Sequence, residues 1–298
     1  MERVHYEEVE ARNALNRVAN MSFAWSLNPY RGCVHGCHYC FARRYHSLYD
    51  LDPSKDFTSV IIVKTNLPEV LRRDLSRPSW RNQTVAVGTA TDPYQPIEGK
   101  YRITRRCLEA FRDYYTPISL VTKGTMVVRD ADVLSDLTRM SGCAVCFSIT
   151  TLDQDLWRKL EPGTPPPKKR LEAMEKLVLS GISAGVLLAP VVPGITDTQA
   201  NLEEVARAAS EHGARFLGTN VLYLKEGTKE HFMGFLQQAY PDLVETYQRL
   251  YPASYAPKGL QDRLRLRVQG LKDIYDIGDR DTVRFQPTAR YGQMSMVL

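Results

Sequence analysis

From about residue 59 onward, the chain alternates β-branched apolar runs with amphipathic stretches. The apolar runs predict strands at 59–64, 84–87, 118–122, 144–150, 183–188 and 215–223, and an earlier one at 21–27. The stretches 104–115 and 198–212 repeat apolar residues at helical spacing, so each predicts a helix with one buried face. Repeated strand–helix units imply a parallel sheet covered by helices.

The number of these units predicts the fold. About six or seven parallel strands are fewer than a closed eight-stranded barrel needs, so we predict an α/β fold with a partial, open (β/α) barrel. After the last strand the pattern becomes helical, at 228–251 and 257–273. We therefore expect an N-terminal extension (1–20), a barrel (21–224) and a C-terminal helical cap (225–298). The working site of such a sheet is expected at the carboxyl ends of its strands.

Composition places the chain among globular proteins. Of its 298 residues, 43% are hydrophobic and 24% are charged, and no run of 18 apolar residues occurs. We therefore expect a sizeable core and no membrane span. The first residues carry both charge signs and lack the apolar stretch of a secretory signal, so a cytoplasmic location is expected.

The net charge of +5 is a mild basic excess. The basic residues are scattered in small groups, most of them beside acidic residues on predicted helices, and we interpret them as solvated helix faces. They permit a nucleic-acid partner without requiring one. The groups are Arg43–Arg44, Arg72–Arg73, Arg105–Arg106, Lys168–Lys169–Arg170, and Arg263, Arg265 and Arg267.

Three of the six cysteines fall within eight residues. Cys33, Cys37 and Cys40 have the spacing C-x3-C-x2-C in a glycine-containing turn that follows a predicted strand. Gly32 and Gly36 would let the backbone wrap closely around a bulky inorganic core. Iron–sulfur cubanes usually take four cysteine thiolates, so three would leave one iron open to another ligand.

Two other interpretations of this spacing stay open at this point. One is a structural zinc site in which His35, His38 or His46 supplies the fourth ligand. The other is a chance group of small buried thiols.

The same motif, with the aromatic Tyr39 before its last cysteine, resembles the signature of radical S-adenosylmethionine (SAM) enzymes. The resemblance implies a [4Fe–4S] cluster whose fourth iron is chelated by SAM. It also implies reductive cleavage of SAM to a 5′-deoxyadenosyl radical that abstracts hydrogen from a substrate. An electron donor such as a flavodoxin or ferredoxin is then an expected partner. An iron–sulfur electron-transfer or sensing protein and a zinc-stabilised nucleic-acid-binding module are the alternative functions.

Within that superfamily the chain is similar to spore photoproduct lyase over residues 28 to 193. The similarity includes the runs 89–92, 120–123, 147–150, 161–164 and 185–190. It implies that Tyr39 meets the adenine of SAM and that Lys123 and Ser148 contact its methionine or ribose portion. Thr91 follows a strand, where ribose or substrate contacts would fall. A nucleic-acid substrate is the leading expectation.

The segment 91–95 also supplies the candidate catalytic residues. Asp92 could bind a ribose hydroxyl or act on protons, and Tyr94 could relay a radical. Glu161 could accept from a bound amine or could simply end a helix.

One position departs from the lyase pattern. That lyase uses a strand-end cysteine to return hydrogen to its substrate radical, whereas Thr89 occupies the position here, so thymine-dimer repair is not expected. Of the other cysteines, Cys107 is expected in the core, and Cys143 or Cys146 could face inward.

Overall fold

The computed structural model describes residues 4–19, 21 and 23–279. The strands found in this part of the chain are β1 (His5–Val9), β2 (Asn16–Arg17), β3 (Trp25–Leu27), β4 (Tyr30–Arg31), β5 (Val60–Lys64), β6 (Val85–Val87), β7 (Ile118–Thr122), β8 (Cys143–Ser148), β9 (Ser183–Val191) and β10 (Leu217–Val221).

The α-helices are α1 (Asp56–Ser59), α2 (Leu67–Leu75), α3 (Glu98–Tyr101), α4 (Ile103–Asp113), α5 (Ala131–Met140), α6 (Gln154–Leu160), α7 (Pro167–Leu179), α8 (Gln199–Glu211), α9 (Thr228–Ala239), α10 (Val244–Leu250) and α11 (Lys258–Tyr275). Within the described residues, 3-10 helices cover Phe41–Tyr49, Thr125–Asp130 and Pro241–Leu243.

Seven strands form the main sheet in the order β10-β9-β8-β7-β6-β3-β2. Six of them, from β3 to β10 in this order, are parallel, and β2 adds an antiparallel edge. The two edge strands do not pair with each other, so the barrel is open. The prediction of a partial (β/α) barrel with about six or seven parallel strands is confirmed.

The predicted strand at 59–64 forms, but it does not join the barrel. Observed as β5, it pairs in parallel with β1 and antiparallel with β4 in a separate three-stranded sheet. Its consecutive apolar residues are buried on both faces, which is also what a barrel strand requires. Periodicity therefore predicted the strand correctly without specifying its partners.

Parallel pairing determines which side chains face the barrel interior. Cys146 lies opposite Gly185 and Val121, and together with Ala144, Leu187 and Phe216 it forms a small interior cluster. The intervening residues Val145 and Phe147 join the larger core beneath the surrounding helices. Since side chains alternate along a strand, Ser148 continues the inward row at the carboxyl end of β8.

The C-terminal helices pack against two different parts of the protein. The predicted helix at 228–251 is broken into α9 and α10 around Pro241, which removes a backbone donor and begins a 3-10 turn. These helices pack in a second apolar cluster with the cysteine loop. Helix α11 instead returns to the barrel, where Leu264, Val268 and Leu271 join the main core. Among the described residues no helix is both long and apolar enough to span a membrane.

Candidate active site

The cysteine loop lies between β4 and the 3-10 helix that begins at Phe41. Cys33 and Cys37 are buried and Cys40 is partly exposed, and all three are free thiols. Gly32 has a φ of +76°, and a Cβ there would come within 2.7 Å of the carbonyl oxygen of Val60. Glycine is therefore required for the loop to approach β5 so closely. Burial raises the pKa of the Cys37 and Cys40 thiols, so these side chains are protonated until an electrophilic metal displaces the proton.

A buried arginine holds this loop from behind. Arg43 is only 2% exposed, and its guanidinium donates to the carbonyl oxygens of Gly36 at 2.9 Å, Cys37 at 3.2 Å and Pro53 at 3.1 Å. It also stacks 4.7 Å above the ring of Phe57. The interpretation of Arg43 as part of a solvated helix face is therefore wrong, because four backbone and aromatic contacts satisfy its charge inside the protein. A fixed cation behind three cysteines favours an anionic group in front of them.

The residues expected to contact SAM come together at the carboxyl ends of β7 and β8. Lys123 follows β7, and its Nζ is 2.7 Å from Ser148 Oγ at the end of β8. The same ammonium lies 5.5 Å from the centre of the Tyr39 ring, in the cysteine loop. Three residues far apart in sequence thus surround one position beside the cysteines.

Glu161 lies next to this position and accepts hydrogen bonds from several of the surrounding residues. It is 1% exposed and accepts from the hydroxyl of Tyr39, from Thr150 Oγ1 at 3.1 Å and from Arg170 Nη2 at 2.5 Å. Burial opposes its ionisation, but Arg170, Lys123 and the Tyr39 hydroxyl outweigh burial and lower the pKa of Glu161 to about 2. Of the two interpretations of Glu161, the carboxylate at the end of α6 is the one that the contacts support. Arg170, also interpreted as solvated, is fully buried.

Asp92 is saturated with donors. Its Oδ1 accepts from Thr122 Oγ1 at 2.6 Å and from the backbone nitrogen of Tyr94 at 2.8 Å, and its Oδ2 accepts from the backbone nitrogen of Lys123 at 2.7 Å. His35 Nδ1 lies 3.3 Å from the same Oδ2. Burial opposes ionisation, yet His35 and these donors lower the pKa of Asp92 to about 2. Burial likewise opposes the charged form of His35, but Cys33 and Asp92 outweigh it and raise the His35 pKa to about 10.

Thr91 and Tyr94 lie on either side of Asp92 and have different surroundings. Thr91 Oγ1 donates to the carbonyl oxygen of Gly32 at 2.7 Å, so it joins the strand end to the cysteine loop. The Tyr94 hydroxyl is buried and donates to Asp130 Oδ2 at 3.0 Å, in a network of acidic residues and arginines behind the loop. A catalytic role for Tyr94 stays a prediction. Thr89 Oγ1 is 3.4 Å from the side-chain nitrogen of Asn28 at the end of β3.

The remaining cysteines lie away from the loop. Cys107 and Cys143 belong to the main core, whereas Cys146 is fully buried in the cluster of barrel-interior residues. Cys146 is therefore the member of the Cys143–Cys146 pair that faces inward.

Helix α9 closes the other side of the cysteine loop, a contact that the sequence did not suggest. His38 Nδ1 is 3.1 Å from His231 Nε2, and the ring of Phe235 stacks on His38 at 4.2 Å. Thr228 Oγ1 donates to the carbonyl oxygen of Cys40 at 3.3 Å. Burial and then the nearby Arg43 charge lower the pKa of His38 to about 4 and that of His231 to about 3, so both rings are neutral at pH 7.

The donor set fits an iron–sulfur cluster. In the described part of the chain, no three His, Cys, Asp or Glu side chains are grouped so as to hold a metal ion, so there is no preformed single-ion site. A cubane instead takes each thiolate at a different iron. Three thiols in one loop, two of them buried and one partly exposed, and a buried arginine behind them provide such ligands and a compensating charge.

A comparison with protein families agrees with this geometry. Residues 27–209 match the family model of the Radical SAM superfamily, which is well over half of the chain. This protein therefore belongs to the radical SAM superfamily, whose members work with an iron–sulfur cluster and SAM.

The chain is also similar in sequence to several proteins and in fold to solved structures. An uncharacterized protein of Mycobacterium tuberculosis is 38% identical over 272 residues, which cover 90% of this chain and 80% of that protein. A radical SAM Nalpha-GlyT isomerase of Pseudomonas phage M6 is 29% identical over 191 residues, 62% of this chain and 37% of that protein. Spore photoproduct lyase complexed with dinucleoside spore photoproduct matches with a TM-score of 0.70 and 16% identity, over 91% of this chain and 79% of that chain. The last comparison shows a shared fold.

Proposed function

We propose that this protein is an enzyme that binds a [4Fe–4S] cluster through Cys33, Cys37 and Cys40 and cleaves SAM reductively at that cluster. The observation that carries the proposal is the meeting of Tyr39, Lys123 and Ser148 beside the cysteine loop, since these residues are separated by up to 109 positions in sequence. When bound, the reduced cluster supplies the electron that converts SAM into a hydrogen-abstracting radical. The protein's own residues bind and orient the reactants.

Each side chain has a physical task in this proposal. The Lys123 ammonium is 14% exposed, so it can pair with the carboxylate of SAM in a largely desolvated position. Ser148 donates to the carbonyl oxygen of Ala189 at 2.8 Å, which fixes its hydroxyl for contact with a ribose or methionine group. Tyr39 presents a ring beside the ligand while Glu161 holds its hydroxyl.

Asp92 and Thr91 support the site from the loop that follows β6. Because Asp92 already accepts from Thr122, Tyr94 and Lys123 and lies 3.3 Å from His35, we assign it to positioning Lys123 and His35. Thr91 is assigned to the SAM pocket, where its hydroxyl ties the strand end to Gly32. Both residues therefore stay part of the proposed site. Asp92 is assigned a positioning role and is not proposed to accept a proton from the substrate.

The substrate proposed here is a nucleic acid or one of its components. Two observations support it: the fold is shared with a lyase whose structure contains a dinucleoside photoproduct, and a relative in a phage is named a Nalpha-GlyT isomerase. We further propose that Thr89 takes the place of the lyase's hydrogen-donating cysteine, and a hydroxyl O–H bond is too strong to donate hydrogen as a thiol does. The reaction is therefore proposed to differ from that of the lyase.

Anaerobic reconstitution with iron and sulfide tests the cluster and the SAM chemistry. We expect about four iron atoms per chain, an electron paramagnetic resonance (EPR) signal on reduction that changes when SAM is added, and 5′-deoxyadenosine detected by mass spectrometry. Lys123→Met should retain iron but lose the SAM-dependent change in the signal. Full iron loading without any response to SAM would favour an electron carrier, and binding of zinc alone would overturn the proposal.

Deuterium transfer tests the substrate class. DNA, RNA and peptide fractions from cells grown in deuterated medium would each be incubated with the reduced enzyme and unlabelled SAM. Deuterium in 5′-deoxyadenosine from the DNA or RNA fraction supports a nucleic-acid substrate. Deuterium from the peptide fraction alone would contradict it.

A further inference from the structure

The ammonium of Lys123 lies between a hydroxyl and a carboxylate. Its Nζ is 2.7 Å from Ser148 Oγ and 3.9 Å from Glu161 Oε1. The second distance is too long for a hydrogen bond, although opposite charges at this separation attract each other strongly in a buried site. If Lys123 were hydrogen-bonded directly to Glu161, its ammonium would be less available to pair with the carboxylate of SAM. What keeps Lys123 and Glu161 3.9 Å apart therefore matters for SAM binding.

Glu161 forms its close ion pair with Arg170 and not with Lys123. Its Nη2 lies 2.5 Å from Glu161 Oε2, and both side chains are fully buried. The same guanidinium donates through Nη1 to the carbonyl oxygen of Ser148 at 2.9 Å and through Nε to that of Pro165 at 2.8 Å. Arg170 comes from the first turn of α7 and binds Oε2, whereas Lys123 lies nearest the other carboxylate oxygen, Oε1.

The remaining positions around the carboxylate are also filled. Tyr39 and Thr150 donate to Oε1, which is the oxygen nearer to Lys123. The formal charges of Glu161, Arg170 and Lys123 are −1, +1 and +1, which leaves a net +1. The buried pair cancels, and the uncancelled charge is that of Lys123, at the carboxyl end of β7.

We propose that Arg170 is a positioning residue of the SAM site: by neutralising Glu161 from behind, it leaves the Lys123 ammonium free for the carboxylate of SAM. This inference rests on the proposed function. Arg170 does not contact the ligand in this scheme. It acts through Glu161, and the same carboxylate also holds the hydroxyl of Tyr39 in place.

Replacing one or both charges of the buried pair tests the inference. In Arg170→Gln, Glu161 loses its neutralising partner and should draw Lys123 toward itself, so SAM binding should weaken about tenfold or more. In Glu161→Gln/Arg170→Gln, neither charge remains and Lys123 is free again, so the affinity should return to within about threefold of that of the parent protein. Lys169→Gln, a surface change on the same helix, should leave SAM affinity unchanged.

Affinity would be measured from the SAM-dependent change in the EPR signal of the reduced cluster, at equal iron content. A second measurement uses the protein without iron: acetic anhydride labelling of Lys123, followed by mass spectrometry, should be slower in Arg170→Gln, because an ammonium paired with Glu161 reacts less. If Arg170→Gln does not fold, the double variant still has to bind SAM nearly normally.

The outcomes separate this inference from the proposed function. Wild-type affinity and wild-type Lys123 labelling in a folded Arg170→Gln protein would overturn the inference. So would a double variant that loads iron fully yet binds SAM as weakly as the single variant, because Arg170 would then act only through the backbone of Ser148. A parent protein that loads iron and does not bind SAM would overturn the proposed function itself.

Discussion

The guanidinium of Arg43 reaches inside the cysteine loop, where its Nη2 donates to the carbonyl oxygen of Gly36 at 2.9 Å. Gly36 has a positive φ of +63°, and its carbonyl oxygen accepts from a side chain in the segment that follows the loop. The loop conformation therefore depends on a side chain three positions beyond its last cysteine.

Replacing Arg43 should unfold the loop before any iron is bound. In Arg43→Met, several buried carbonyl oxygens lose their donor, and we expect the apo-protein to lose about 2–4 kcal/mol of unfolding free energy. Guanidinium chloride denaturation measures this, and iron content after reconstitution should fall with it. Arg44→Met is the matched control, because the neighbouring Arg44 is partly exposed and its guanidinium lies 5.5 Å from the centre of the Tyr45 ring. Equal stability of the two variants would refute the prediction.

Cluster loading should depend on one set of cysteines and be independent of the other. Cys33→Ala, Cys37→Ala or Cys40→Ala should each abolish stable iron binding. The triple replacement of Cys107, Cys143 and Cys146 by Ala should retain about four iron atoms per chain, with some loss of stability, because all three are buried. Assays of iron and sulfide content would compare each loop variant and the triple variant with the parent protein. Loss of about half the iron from the folded triple variant would indicate a second centre instead.

Acid should destabilise the apo-protein through Glu161. Its folded-state pKa of about 2 is lower than that of an unfolded glutamate, so its ionised form stabilises the folded state. That contribution is fully present above the unfolded pKa and is lost as pH falls from about 4.5 to about 2, an effect on the order of 3 kcal/mol. Unfolding free energies at a series of pH values would show a steeper acid dependence for the parent than for Glu161→Gln/Arg170→Gln. Identical slopes would mean that other carboxylates dominate.

Helix α9 should restrain the cysteine loop through Phe235. Phe235→Ala removes the ring that stacks on His38, with an expected cost of about 3–5 kcal/mol. Hydrogen–deuterium exchange should accelerate at the amides of His38 and Cys40, which are bonded to Leu160 and Cys37. Phe111→Ala, an equally apolar truncation in the main core, should destabilise the protein globally without a local effect on these amides. Unchanged exchange in the Phe235 variant would contradict the contact.

Removing the Tyr94 hydroxyl should affect stability more than SAM cleavage. Tyr94→Phe deletes the hydrogen bond to Asp130 in a buried network, at an expected cost of about 1–3 kcal/mol. Formation of 5′-deoxyadenosine by the iron-loaded variant should continue, because the hydroxyl is engaged behind the loop. A folded, fully loaded variant that no longer forms 5′-deoxyadenosine would instead support a radical relay through Tyr94.

The sequence predicted the barrel well because its strands are short, apolar and separated by helices. It could not show that β5 leaves the barrel, since a strand buried on both faces has the same pattern in either sheet. It also misassigned Arg43 and Arg170, whose burial depends on long-range partners. A signal was available for Arg170: it shares helical spacing with Met174 and Leu177, whereas Lys168 and Lys169 lie on the outer face. The histidine contact between positions 38 and 231 had no comparable signal.

That contact has a consequence for the order of assembly. The cysteine loop is synthesised before its partners, because Thr228 follows Cys40 by 188 positions and His231 follows His38 by 193 positions. A nascent chain that has just completed the barrel strands therefore exposes the loop on the side that α9 will cover. We expect iron to be retained only after α9 has been synthesised and has packed against the loop, so that cluster retention depends on a contact that forms after the barrel strands.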